Sequence, residues 1–546
     1  MENKFIRMGS DAQSKIIEGV KLAADAIKVT MGPAGKCVAI GSDFGSPSIT
    51  RDGSTVSKSL KSKDPELDIG VQLVKAASTL TEEKVGDATS SVSVLIKEMC
   101  LKGQKALNAG GNVNEIKSGM LKAQDWVKDY ISKSAIPIDG DLDKVHRVAT
   151  ISANNDPQVG DLIVECMKQV GVSGVITADM SSGLDTAIEV TTGMKLERGW
   201  SSPQYVTTPE DGKCTLENPY IVIVGEKLQS VAQILPLMQQ LVQQGKGRPF
   251  LIICDDINEV VNTTLIMNTL QGAISCCVIK GVDFGDSREN IMQDVAIATG
   301  GVYICEKNGL TINDAKLEHL GGAKRVVVSR DETIIYEGYG EPEIIAKRAD
   351  ILKARLSDPG ISNYDKTKFE KRVANLTGGI GIIRAGGATE AEKTNRKATI
   401  EDAILASKSA LDEGCVPGGG YVYLKATQEV KKDKKFWKSL EGDEQEGAEI
   451  VFSSLPIILK VIAENSGKSG DVVLNEVFNS KKTAYGYNAK TRKFGNLLTE
   501  GVLDSAKVIR VALENAVSTA SMILLIDCSI TDLIEESPKA PDQPLI

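Results

Sequence analysis

Val85-Gly86-Asp87-Ala88-Thr89-Ser90-Ser91 runs directly into Val92-Ser93-Val94-Leu95-Ile96-Lys97-Glu98-Met99-Cys100. A small-residue turn with one carboxylate and three consecutive hydroxyls, set just before an apolar helical run, is what a nucleotide's phosphates and a magnesium ion require. Free backbone N–H groups at a helix start attract anions, hydroxyls add donors, and Asp87 can hold a metal through oxygen. Asp, Thr and Ser are also ordinary helix-capping residues, and on its own the stretch reads slightly better as a cap.

Working outward toward the N-terminus, apolar residues at Ile16, Ile17, Val20, Leu22, Ala23 and Ile27 predict a helix over about 10–31. It ends at Thr30-Met31-Gly32-Pro33-Ala34-Gly35-Lys36, where two residues separate Gly32 from Gly35 and Cys37 follows Lys36. Neither spacing suits a P-loop, so a Gly-Pro helix stop is the reading there. Short strands at 37–40 and 48–50 precede Arg51-Asp52-Gly53, whose Asp-Gly pair reads as a hairpin turn. The chain to about residue 134 is then largely helical, with helices at 68–84, after Asp87, and at 113–130.

Toward the C-terminus, helices at 142–152 and 157–170 lead to extended segments at 174–177 and 186–191. From Gly193 to about Gly378 the pattern is α/β: runs at 220–224, 250–254, 277–279, 302–304 and 325–328 predict buried strands. Two intervening helices are unusually apolar, one carrying Ile234, Leu235, Leu237, Met238, Leu241 and Val242, the other Val260, Val261, Leu265, Ile266, Met267 and Leu270. Full burial is the plain reading, and an exposed groove for apolar partners is the alternative. A charged helical passage at 341–372 and one glycine-bracketed strand within 378–388 follow. A helix capped by Thr399 is predicted to reach 413, with Asp402 at its acidic start. Further helices are expected at 448–465, 469–478 and 506–525, with a hairpin at 485–489, Asp504 as a cap, and a polar, disordered tail from about 535.

Composition narrows the function. With 64 Lys+Arg against 73 Asp+Glu the net charge is -9, without the basic footprint of a nucleic-acid binder. Ten scattered cysteines lack zinc-type spacing, and the two histidines, His146 and His319, lie far apart and read as structural. No run approaches the roughly 18 apolar residues of a membrane helix, so the expectation is a reducing, cytoplasmic setting without membrane contact.

The same motifs, taken as an ordered set, resemble the group I chaperonins, the GroEL family. They are Thr30-Met31-Gly32-Pro33, Thr50-Arg51-Asp52-Gly53, Gly86-Asp87-Ala88-Thr89-Ser90-Ser91, Ile151-Ser152-Ala153-Asn154, Glu401-Asp402-Ala403, Gly418-Gly419-Gly420 and Tyr487-Asn488-Ala489. The likeness covers the chain apart from its tail. It implies a divergent member with a multidomain α and α/β fold: a helical equatorial domain from both termini (1–134 and 413–546), an intermediate domain (135–191 and 380–412), and an α/β apical domain (192–379). It further implies ATP-dependent folding of non-native client proteins by a seven-membered homo-oligomeric ring.

Carried over by position, Asp52 and Asp402 resemble the pair that activates the attacking water, and Asp87 the magnesium ligand. Thr30, Met31, Gly32, Pro33, Arg51, Ala88, Thr89, Ser90 and Ser91 resemble the phosphate side of the ATP site. Gly419, Asn488, Ala489 and Asp504 resemble the adenine and ribose side. A potassium ion would belong at Thr30 and Ser90, beside Arg51 where the family has lysine. Because Asp402 falls in the implied intermediate domain, hydrolysis would need a hinge closure to bring it to Asp87. Trp200, Tyr205, Leu235, Met238, Ile266 and Met267 resemble the client-binding groove. Gln204 and Asn262 depart from that groove's pattern, which weakens the expectation of a co-chaperonin docking there; Ala88 replaces a family glycine. Two rival readings use the same residues: a non-hydrolysing ring scaffold or holdase, and a monomeric metabolic ATPase or kinase. Retention of Asp52, Asp87 and Asp402 argues against the scaffold.

Overall fold

A computed structural model of the chain describes residues 4–41, 47–171, 174–208, 212–245, 247–283, 285–356 and 363–532. The tail beyond 535, read above as disordered, lies outside them. The chain divides into two compact units, Met1–Val164 with Thr394–Ile546, and Glu165–Lys393.

The first unit is built on helices. Pro65–Val85 starts with Pro65 in its first turn and with the Asp64 side chain accepting from the N–H groups of Glu66 and Leu67. It stops at Gly86, whose φ of 70° is left-handed. It meets Gly9–Ile27 backbone to backbone: a Cβ on Gly19 would lie 2.0 Å from Leu67 O, and one on Gly70 2.0 Å from Ile16 O. Thr89–Asn108, Val113–Ser134 and Ala506–Leu524 share the same core through Leu95, Met99, Met120, Leu513 and Val517, all fully buried. Helices from both chain ends thus bury one another, and strand Lys4–Met8 pairs antiparallel with Cys528–Asp532.

Four sequence readings need correction here. Asp52 is no hairpin residue: it caps the helix Gly53–Ser59, accepting from Ser54 N at 3.2 Å and Thr55 N at 2.7 Å. The antiparallel ribbon is made by Val38–Ile40 and Ser48–Thr50 instead. Thr399 lies inside the helix Glu390–Glu413, its hydroxyl turned back to Asn395 O at 2.9 Å, so the helix begins well before it. The expected helix 448–465 is two, Glu444–Ser454 and Ile457–Asn465, because Pro456 cannot donate into a continuous ladder. Asp504 belongs to the strand Leu503–Ser505, and the helix after it starts at Ala506, with Ser505 at its N-cap position making no side-chain cap.

The second unit carries a ten-stranded mixed sheet among the described residues. Tyr220–Leu228, Phe250–Ile257 and Cys276–Lys280 run parallel, side by side. Ile221 to Val224, Leu251 to Cys254 and Cys277 to Ile279 are at most 1% exposed, which is why these strands read as unbroken apolar runs. On the other side, Gly379–Ala385 lies between Val175–Met180, to which it runs parallel, and Ala187–Leu196, to which it runs antiparallel.

Candidate functional site

Every residue named above for the nucleotide site lines one cavity of about 570 Å³, enclosed within the first unit. Its phosphate-like wall begins at Ala88, which sits at the start of Thr89–Asn108 with φ 65° and ψ 18° and leaves that helix without a side-chain cap. The capping alternative therefore gives way to a bare helix N-terminus with hydroxyls around it. Asp87 Oδ2 accepts from Ser152 Oγ at 3.0 Å. Thr30 Oγ1 lies 3.2 Å from Ser90 Oγ and donates to Ile27 O. Arg51 Nη2 donates to Pro33 O at 2.7 Å, clamping the Gly32-Pro33 turn, and Asn465 Nδ2 reaches both Lys28 O and Met31 O at 2.9 Å.

Carboxylates converge across the cavity. Burial, then the charges of Asp52, Glu82 and Asp87, push the Asp402 carboxyl well above the usual range. Burial also raises Asp87, opposed by hydrogen bonds from Ala88 N–H and Ser152. The helix carrying Asp402 comes close to the end of the Pro65–Val85 helix: a Cβ on Gly86 would meet Leu405 Cβ at 2.4 Å and Asp402 O at 3.0 Å. At the far end, Asp504 Oδ2 accepts from Gly419 N at 3.0 Å, and burial chiefly, with Asp87's charge second, brings its carboxyl up to about 7. The Asn488 side chain is spent on its own turn, accepting from Lys490 N at 3.0 Å and donating to Glu500 Oε2 at 2.8 Å.

Converging carboxylates with raised pKa values fit a cation. Among the described residues no three acidic, His or Cys side chains could cage a metal alone. That suits magnesium, which takes one or two carboxylates and completes its shell with phosphate and water. Asp87 would hold it.

Sequence reasoning missed Glu82, Ser152, Asn465, Arg147 and His146. Ser152 lay within a quoted motif and could have been read as a partner for Asp87. His146, set aside as structural, lines the cavity with Nε2 3.0 Å from Asp161, and Arg147 donates to Leu498 O at 3.1 Å. Neither carried a spacing signal.

In the second unit, Val231–Gln244 and Glu259–Leu270 are each two-faced. Ile234, Leu237, Leu241, Val261, Leu265 and Ile266 are buried, while Leu235, Val242, Val260, Met267 and Leu270 are 45–69% exposed. Trp200 and Met238 are half-buried. Tyr205, at 1% exposure, is a core residue, its hydroxyl donating to Asn262 Oδ1 at 2.9 Å, and Ile266 also packs inward. Asn262 further accepts from Ser201 Oγ at 3.0 Å, so its polarity is absorbed internally.

The fold has counterparts among known proteins. The chain is similar to the chaperonin gp146 from bacteriophage EL 2 (Pseudomonas aeruginosa), crystallised in the presence of ATP-BeFx. One crystal form matches with a TM-score of 0.72 and 20% identity over 97% of this chain and 99% of that one. A second form gives 0.63 and 21% over 96% and 99%. The model of the TCP-1/cpn60 chaperonin family matches residues 23–532. The chain belongs to that family.

Proposed function

We propose that this chaperonin is an ATP-hydrolysing ring subunit that binds non-native proteins and promotes their folding. The observation carrying the reading is the convergence of Asp52, Asp87, Asp402, the Thr89 to Ser91 hydroxyls and the Gly32-Pro33 turn on one cavity. The ATP-BeFx present with gp146 favours the same ligand.

In this reading the helix start at Thr89 and the hydroxyls of Thr30, Ser90 and Ser91 hold the phosphates, with Asp87 as magnesium ligand. Bound magnesium supplies charge neutralisation on the transferred phosphoryl group. Asp52 and Asp402 orient and activate water in line with the leaving group, and the bound cations offset the carboxylate charges that, after burial, raise the Asp402 carboxyl. Gly419, Asp504 and the Asn488-Ala489 turn form the base and ribose end. The Arg51 guanidinium already stands beside the phosphate turn, so a potassium ion at Thr30 and Ser90 would add a second cation to it. The layout that accompanies this reading is equatorial 1–134 and 413–546, intermediate 135–191 and 380–412, and apical 192–379. Client segments would meet the exposed Leu235, Met267 and their neighbours, with Trp200 and Met238 at the margin, while Tyr205 and Ile266 support that surface from inside.

Native mass spectrometry with ATPase measurement tests this. A homo-oligomer of ring size that hydrolyses ATP supports it. A monomer with a saturable small-molecule phosphate acceptor favours a metabolic kinase, and a ring that binds ATP without turnover favours a scaffold.

A further inference from the structure

Glu82 carries no motif, yet it lines the same cavity with its side chain only 20% exposed. Its Oε1 lies 2.7 Å from Ser54 Oγ, and that same hydroxyl lies 3.0 Å from Asp52 Oδ2. Lys58, on the helix that Asp52 caps, pairs with Glu82 Oε2 at 2.9 Å. A serine hydroxyl has one hydrogen. Both contacts are therefore hydrogen bonds only when one of the two carboxyls carries a proton. Asp52 is otherwise fixed by Ser54 N, Thr55 N and Thr55 Oγ1, the last at 2.6 Å. An isolated Lys–Glu pair at the surface contributes little, but this one is joined through Ser54 to the residue proposed to activate water.

We propose that Glu82 is a positioning residue for ATP hydrolysis, acting on Asp52 through Ser54 Oγ. The inference rests on the hydrolysis reading above. With the Ser54 hydrogen donated to Glu82, the lone pairs of Ser54 Oγ face Asp52 Oδ2, which is left without that donor and is the better proton acceptor for it. In the step, one O–H bond of the attacking water breaks and its proton forms an O–H bond at Asp52. The water oxygen bonds to the γ-phosphorus, and the bond to the bridging oxygen breaks with its electron pair leaving on ADP. Protonated Asp52 then donates to Ser54 Oγ, so both contacts of that hydroxyl become hydrogen bonds. Lys58, which senses Glu82, Asp52 and Asp402 together, offsets the repulsion among them.

The test is steady-state hydrolysis of Mg·ATP by the full chain, with kcat, KM and thermal stability measured for wild type, Glu82→Gln, Ser54→Ala and the double variant. Each single change is expected to lower kcat about tenfold with KM held within about twofold. Because the residues act in series, the double variant is expected to be no slower than the slower single. Ser54→Ala supplies the reading if Glu82→Gln fails to fold. Unchanged kcat in a folded single variant, or losses that multiply in the double, overturns the proposal while leaving hydrolysis intact. A wild type that does not turn over ATP overturns both.

Discussion

Ala88 concentrates the conflict between sequence and site. Its φ of 65° is a conformation L-residues adopt at a cost of roughly 1–2 kcal/mol. Glycine would remove that strain while adding roughly 0.5–1 kcal/mol of unfolded-chain entropy. Ala88→Gly is thus expected to stabilise the protein by about 0.5 kcal/mol in denaturant melts; a destabilised variant would mean the turn draws compensation from the alanine methyl. Asp504 gives a pH signature. Its folded pKa, about 7, lies above the unfolded value near 3.8, so the ionised carboxylate opposes folding at pH 8, and that opposition fades as pH falls through 7 toward 4. In nucleotide-free protein with chelator, Asp504→Asn should raise Tm most at pH 8, with the margin shrinking by pH 5. A margin that does not change with pH contradicts the assignment.

Among the elements, the helix Glu390–Glu413 reaches the cavity only because Gly86 lets it approach. Gly86→Ala would set a Cβ into Leu405 and strain a φ of 70°. It should lower hydrolysis at least tenfold, by displacing Asp402, with nucleotide affinity less affected; equal loss of affinity would indicate collapse of the phosphate wall instead. Legibility follows similar lines. The central strands of the second sheet were plain in sequence because burial on both faces demands uninterrupted apolar runs, as in Ile221 to Val224. Boundaries failed where a local signal had two meanings. Asp52-Gly53 carries the chemistry of a turn and of a helix cap, and only the partners Ser54 and Thr55 distinguish them. Thr399 looked like a cap because the polar residues before it form a solvated stretch of the same helix, with no apolar stripe to mark it. The cavity's motif residues could be named by family likeness. Glu82 could not, because its position is set by the packing of Pro65–Val85 beside Gly53–Ser59 rather than by any spacing.

At the scale of the molecule, one unit holds the cavity and the other the two-faced helices Val231–Gln244 and Glu259–Leu270, and the proposed function assigns nucleotide turnover to the first and client binding to the second. Replacing Leu235 and Met267 together with serine is expected to weaken capture of an unfolded test protein at least fivefold while leaving ATP hydrolysis without client unchanged, since each exposed side chain buries roughly 1.5–3 kcal/mol of apolar surface on binding. Undiminished capture would place client binding elsewhere. The central claim, that this cavity hydrolyses ATP with Asp402 as a catalytic group, is tested most directly by single-turnover hydrolysis of Mg·ATP by wild type and Asp402→Ala, with nucleotide binding followed in parallel. The expected result is binding within a fewfold of wild type and a hydrolysis rate reduced at least a hundredfold; hydrolysis at the wild-type rate in Asp402→Ala would contradict it.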